Sequence, residues 1–149
     1  MWTILSGAPP ASHGQLHSGL LLLRVFTGLV LAYGTQDNVF SAEHMLEFRD
    51  FLAKHGFPAP LLSAYISAYA QFVGGLLLAA GWFTRPAAAV MVVNFIVALV
   101  MVHRSLPFGS NIAPMAMCAT SLVLVITGPG AFSLDGWLAR RRRGYRARL

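Results

Sequence analysis

Charged residues are scarce in this chain. Asp, Glu, Lys and Arg make up 11% of its 149 residues, whereas soluble domains carry about 25%. A chain with so few charges cannot cover a water-facing surface, and its 56% content of hydrophobic residues is suited to lipid. This composition argues against an ordinary soluble enzyme and predicts a membrane protein.

Motifs for catalysis and metal binding are also missing. The single cysteine, Cys118, cannot form an internal disulfide, and no paired-cysteine, zinc or haem-attachment spacing exists. No nucleophile elbow or Gly-rich phosphate loop is present. We therefore predict no catalytic residues and no metal site. A haem is disfavoured as well, because His17 and His103 lie at opposite ends of apolar segments and cannot share one.

Four long apolar segments are present instead, each close to the length that crosses a hydrocarbon core of about 30 Å. They occupy residues 17–36, 61–82, 86–103 and 112–128. We expect one domain over residues 1–149, all-α in class, with these segments forming a four-helix transmembrane bundle. No acidic residue lies within them, which disfavours a proton- or cation-coupled transporter.

Residues 41–55, between the first two segments, read as an additional amphipathic helix. Ser41 is a suitable N-cap, Phe48, Phe51 and Leu52 form an apolar stripe, and Gly56 can end the helix. Two interpretations remain open. The helix lies on the membrane surface and caps the bundle, or it docks a partner protein.

Basic residues cluster at the end of the chain, in the segment 133–149. Six of the eleven Lys and Arg residues lie between Arg140 and Arg148, and the run Arg140, Arg141, Arg142 and Arg143 follows an apolar segment. This position favours contact with anionic lipid headgroups over nucleic acid. By the positive-inside rule we expect both termini in the cytoplasm. We expect the membrane to be a bacterial inner membrane.

Polar residues inside or beside the apolar segments are the candidates for contact with a ligand, because they are costly in lipid. These candidates are Arg24, Gln36, Ser67, Gln71, Asn94 and His103. Arg24 either reaches back to the membrane surface as an anchor or pairs inside the bundle. Asn94 is expected to bond to a neighbouring helix, with Gln71 as the obvious partner.

Small residues are expected to let the helices pack closely. Gly74, Gly75 and Ala79 lie in the second segment, and Gly28 lies in the first. Such positions allow close approach of helices in lipid. The polar stripe formed by Ser67 and Gln71 beside them is either part of this packing or the lining of a pocket for a quinone-like or lipid-like molecule.

Several fragments, taken in order, resemble the DoxX family of small four-helix membrane proteins over about residues 20–138. These fragments are Leu23-Arg24-Val25-Phe26-Thr27-Gly28, Tyr33-Gly34-Thr35-Gln36, Gly56-Phe57-Pro58, the stretch from Gly74 to Pro86, and Gly128-Pro129-Gly130-Ala131-Phe132-Ser133-Leu134-Asp135. Where the family commonly has a Glu three residues before the Gly-Gly pair, this chain has Gln71, which forms hydrogen bonds but carries no charge.

The resemblance implies a four-helix membrane bundle and an association with oxidoreductase systems. We therefore expect an accessory or anchor subunit of a redox or quinone-linked complex, in contact with membrane lipids and with a protein partner or a second copy of itself. A stand-alone membrane oxidoreductase or quinone- or lipid-binding protein is the first alternative. A transporter of lipids or small molecules is the second.

Overall fold

Six helices account for most of the chain in a computed structural model, which describes residues 12–102, 104 and 106–146, with side chains as far as Arg141. The helices are α1 (His13–Phe40), α2 (Ala42–Lys54), α3 (Pro60–Ala80), α4 (Thr84–Met101), α5 (Phe108–Thr127) and α6 (Leu134–Arg146). No strand occurs among the described residues. The expected all-α class is confirmed.

The helix ends follow from local sequence. Ser12 caps α1 through a reciprocal pair of bonds with Gln15, and Ser41 caps α2 through its side chain. Pro60 begins α3, where its missing N–H costs nothing. Gly81 ends α3 with a φ of 69°, a left-handed conformation that glycine adopts without strain.

Four of these helices, α1, α3, α4 and α5, are long and apolar enough to cross a membrane. In the bundle α3 packs against both α1 and α4, while α5 packs against α4 and α1. Large apolar side chains such as Leu22, Val93 and Ile126 project from its outer surface and are more than half exposed. This outer surface suits lipid contact, as expected of an integral membrane protein.

The core of the bundle is apolar and lies between the four long helices. Its buried members include Leu31 of α1, Leu78 of α3, Met91 of α4 and Leu124 of α5. Each helix therefore contributes to one shared core. This core separates two ends of the bundle, which we call the α2 end and the α6 end.

Helices α1 and α3 approach so closely that their backbones nearly touch. A Cβ added at Gly28 would lie 2.4 Å from the carbonyl oxygen of Gly75, and one added at Gly75 would lie 2.6 Å from that of Gly28. Ala32 and Ala79 border the same contact. At Gly74 an added Cβ would instead meet the flexible end of Met91, at 3.1 Å.

The segment after Gly128 turns back across the α6 end and then forms α6. From the sequence, residues 133–149 were expected only to form a basic tail, whereas residues 134–146 are helical. Leu134, Trp137 and Leu138 lie three and four positions apart, so they share one face of α6, and all three are exposed. This face is a second apolar surface next to the bundle.

Candidate functional site

A cavity of about 650 Å³ lies between α2, α3 and α4. Such a volume falls within the range of about 300–1,000 Å³ that is typical of small-molecule sites. Most of its wall is apolar. The described residues that line it are Phe48, Phe51, Leu52, Phe57, Ser63, Ile66, Ser67, Ala70, Gln71, Ala89, Val90, Val93, Asn94, Phe95, Val97, Ala98, Val102 and Pro114. A chain of three hydrogen-bonded polar side chains lies in its wall: Ser67, Gln71 and Asn94. We call this chain the relay, and the cavity the relay cavity.

A chain of three polar side chains crosses from α3 to α4 in the wall of the relay cavity. The hydroxyl of Ser67 donates a hydrogen bond of 2.9 Å to Oδ1 of Asn94, and it accepts one of 3.1 Å from Nε2 of Gln71. Ser67 thus bridges the two amides, whereas a direct bond between Asn94 and Gln71 was expected from the sequence. Two polar atoms of these residues take no part in the two hydrogen bonds of the chain: Gln71 Oε1, which is an acceptor, and Asn94 Nδ2, which is a donor.

The chemistry of the relay cavity is that of binding. None of the described residues in its wall titrates near neutral pH, since the polar members are two serines, an asparagine and a glutamine. These groups can donate and accept hydrogen bonds, but they offer no readily ionised acid or base. The cavity can therefore hold and orient an uncharged molecule that has a polar group and an apolar body.

Helix α2 closes part of the relay cavity with an aromatic wall. Phe48, Phe51 and Leu52 project from α2, and Phe57 follows it. Leu52 and Met45 are buried and belong to a small core with Ala64, Ala68 and Val102, which holds α2 against the bundle. Helix α2 therefore covers a cavity. The surface and docking roles considered from its sequence stay predictions.

Arg24 lies at the opposite end of the bundle and does not line the relay cavity. Its side chain is only 2% exposed, so the interpretation as an anchor reaching the membrane surface is wrong. Its guanidinium donates to the carbonyl oxygens of Pro129 and Phe132, at 2.5 and 2.7 Å. Arg24 thus pairs inside the bundle, with the loop before α6.

Asp135 joins the same region to the turn between α3 and α4. Its two carboxylate oxygens accept hydrogen bonds from the backbone N–H groups of Phe83 and Thr84, at 3.1 and 3.0 Å. Its own N–H donates to the carbonyl oxygen of Gly81. Phe83 has a φ of 49°, so the turn is strained for a residue with a side chain, and these bonds hold it in place.

Three fragments of the family resemblance therefore meet at the α6 end. One carries Arg24, one the turn after Gly81, and one the loop from Gly128 to Asp135. His17 adds another contact, because its Nδ1 accepts a bond from the N–H of Ala131 at 3.2 Å. The bonds in this region are structural, since they join protein groups to one another.

The remaining candidate residues are placed as follows. Gln36 is half-buried in α1 and is absent from the wall of the relay cavity. His103 lies outside the described residues. Arg140 donates to the carbonyl oxygen of Ala131, and Arg141 lies 4.0 Å from the ring centroid of Trp137. Arg142 and Arg143 belong to α6, but their side chains are outside the described part.

Sequence reasoning missed the aromatic wall and the cap formed by Asp135. Phe48 and Phe51 were recognised as an apolar stripe, but the sequence does not tell whether such a stripe meets lipid, protein or a cavity. For Asp135 a signal existed. It is the sole acid beyond residue 50, and it begins a helix next to a cluster of arginines.

Comparison with known proteins agrees with the resemblance noted in the sequence. The DoxX family model matches residues 19–104. The chain is 28% identical over 128 residues to Inner membrane protein YphA of Escherichia coli (strain K12), covering 78% of this chain and 87% of that protein. It is 27% identical over 126 residues to Putative oxidoreductase CatD of Bacillus subtilis (strain 168), covering 84% and 90%. No solved structure matches the chain significantly.

Proposed function

The chain belongs to the DoxX family, and on that premise we propose that it is a membrane accessory subunit of a redox or quinone-linked complex, which binds a small hydrophobic molecule in the relay cavity. The observation that carries the proposal is the Asn94–Ser67–Gln71 chain in a cavity whose other described lining residues are apolar, apart from Ser63. Polar side chains are energetically costly within a membrane segment. A ligand that forms hydrogen bonds with these side chains accounts for their position.

A quinone fits the groups that are present. Its carbonyl oxygens accept hydrogen bonds, which Asn94 Nδ2 can donate, and the hydroxyls of its reduced form can donate to Gln71 Oε1. An apolar tail would lie against Phe48, Val93 and similar side chains of the wall. When bound, a quinone supplies the capacity to carry electrons, and this chain's residues hold and orient it.

The redox assignment draws on the relatives and not on a reactive group of this chain. One relative is named a putative oxidoreductase, and the family resemblance implies association with oxidoreductase systems. Since the described wall of the relay cavity provides no acid or base, we place the chemistry in a partner protein. The role of this subunit is then to bind the hydrophobic molecule within the membrane.

The test is to extract the tagged protein from native membranes in mild detergent and to identify co-purifying proteins and small molecules by mass spectrometry. We expect an oxidoreductase in stoichiometric amount and a bound quinone. The double variant Ser67→Ala/Asn94→Leu should lose the quinone, because it removes the relay. Ser63→Ala is the matched control, since Ser63 lines the same cavity outside the relay.

The two parts of the proposal can fail separately. A solitary protein that retains a quinone would refute the role as an accessory subunit. A stable complex with no bound small molecule, from membranes rich in quinone, would refute the binding role of the relay cavity. Equal retention of quinone by the relay variant and by Ser63→Ala would show that the relay does not hold it.

A further inference from the structure

We infer that the ligand of the relay cavity is an uncharged molecule dissolved in the bilayer, which enters sideways between α3 and α4 instead of from water. This inference rests on the proposed binding function and selects one class of ligand for it. It excludes phospholipids, whose charged headgroups stay at the membrane surface. Three observations lead to it: the depth of the relay, the lack of charged side chains among the described residues around it, and the direction in which the cavity opens.

The relay lies near the middle of the membrane-spanning helices, half-way along their length. Asn94 is near the middle of α4 (Thr84–Met101), about 15 Å from the start of that helix at a rise of about 1.5 Å per residue. Ser67 and Gln71 likewise fall in the central part of α3 (Pro60–Ala80). Because the hydrocarbon core is about 30 Å thick, a polar group that bonds to this relay lies near the centre of the bilayer.

An ion at that depth would need a counter-charge, and the described wall of the relay cavity provides none. Its lining residues include no Lys, Arg or His that could pair with a phosphate. The two amides and the hydroxyl match a neutral carbonyl or hydroxyl group instead. Moving a phospholipid headgroup to this position would bury its charge without a partner, which is strongly unfavourable.

The cavity opens toward the outer surface of the bundle. Ile66 of α3 and Val93 of α4 line it and are also 61% and 62% exposed, so they stand at an opening between these two helices. Of the lining residues on α2, Leu52 is 4% exposed and Phe51 is 42% exposed, less than either residue at the opening. A molecule with an apolar tail can therefore enter from the bilayer and leave the tail between α3 and α4.

The experiment uses the full-length protein in phosphatidylcholine vesicles and a photoreactive quinone with a decyl tail as the probe. After illumination, adducts are mapped to peptides by mass spectrometry. We expect adducts around Ile66 to Gln71 and around Val93 to Asn94. The double variant Ile66→Trp/Val93→Trp should reduce labelling at least tenfold, because the indole rings fill the opening.

Val100→Trp is the control for bulk at a lipid-facing position, since Val100 is 59% exposed on α4 and does not line the cavity. It should label like the wild type. If the double variant unfolds at a lower temperature than the wild type, Ile66→Phe narrows the opening with less added volume, and it should reduce labelling while retaining the fold.

Two results would overturn the inference while leaving the binding function intact. One is equal labelling of the wild type and of folded variants narrowed at Ile66. The other is labelling of the same peptides by a photoreactive phospholipid that excess quinone does not displace. Absence of any adduct in the wild-type cavity, from either probe, would overturn the proposed binding function together with this inference.

Discussion

Asp135, at the start of α6, caps the helix that begins at Thr84. One oxygen of its carboxylate accepts a bond of 3.0 Å from the N–H of Thr84, and the other accepts one from the preceding residue. Helix α4 has no side-chain cap from its own N-cap residue. A residue distant in the chain therefore satisfies backbone donors at the α6 end and ties α6 to the turn between α3 and α4.

Asp135→Ala is expected to lower the free energy of unfolding by about 0.5–2 kcal/mol, the usual cost of losing a helix cap. Asp135→Asn should lose less, because its amide oxygen can still accept one of the two bonds. The measurement is reversible unfolding in mixed micelles, followed by circular dichroism. Glu47→Ala removes an exposed acid at the α2 end as a control. If Asp135→Ala and Glu47→Ala have equal effects, the cap contributes nothing.

Arg24→Lys is expected to destabilise the protein although it keeps the charge. An ammonium lacks the planar fork that reaches two carbonyl oxygens, so the oxygen of Pro129 or of Phe132 loses its partner. A buried polar group left without a partner costs about 1–3 kcal/mol. The same unfolding measurement detects the loss.

Arg85→Lys is the matched control for Arg24→Lys. Arg85 is exposed near the same end of the bundle. Its guanidinium makes a single long bond of 3.4 Å, to the carbonyl oxygen of Ile126. We expect a change below about 0.5 kcal/mol, as for ordinary surface substitutions. A loss at Arg85 as large as that at Arg24 would contradict the role assigned to the buried fork.

The four long helices could be predicted because an apolar run of sufficient length has few other stable forms in lipid. The extension of α1 to Phe40 could not be predicted. Asp37 and Asn38 interrupt the apolar run, yet the helix continues through both residues before it ends. The spacing of Leu134, Trp137 and Leu138 could have indicated α6, but the arginines beside them dominated the interpretation.

The candidate site was predictable residue by residue but not as a constellation. Ser67, Gln71 and Asn94 were singled out because polar groups are rare in such segments. Which of them bond depends on the rotation of α4 against α3, and that rotation is set by packing. The same limit applied to Arg24, whose partners lie more than 100 positions away in the chain.

The arginine run of α6 is expected to keep the C-terminus on the cytoplasmic side. Replacing Arg140, Arg141, Arg142 and Arg143 with Gln removes four cations beside the last membrane span, so it should weaken this orientation. Paired C-terminal fusions to alkaline phosphatase and to a fluorescent protein report on which side of the membrane the C-terminus lies. Arg49→Gln/Lys54→Gln, at the α2 end, is the control and should leave the orientation unchanged. An unaltered reporter ratio in the fourfold variant would refute this role.

Gly28→Ala is expected to destabilise the bundle, whereas Gly34→Ala in the same helix is not. A Cβ at position 28 would lie 2.4 Å from a backbone oxygen of α3, so α1 and α3 must move apart, while a Cβ at position 34 meets no atom within 4 Å. Overpacking of this kind costs about 1–3 kcal/mol. In an open helical position, replacement of Gly by Ala stabilises by about 0.5–1 kcal/mol. The unfolding free energies of the two variants should therefore move in opposite directions, and a gain in stability at position 28 would show that α1 and α3 do not pack through Gly28.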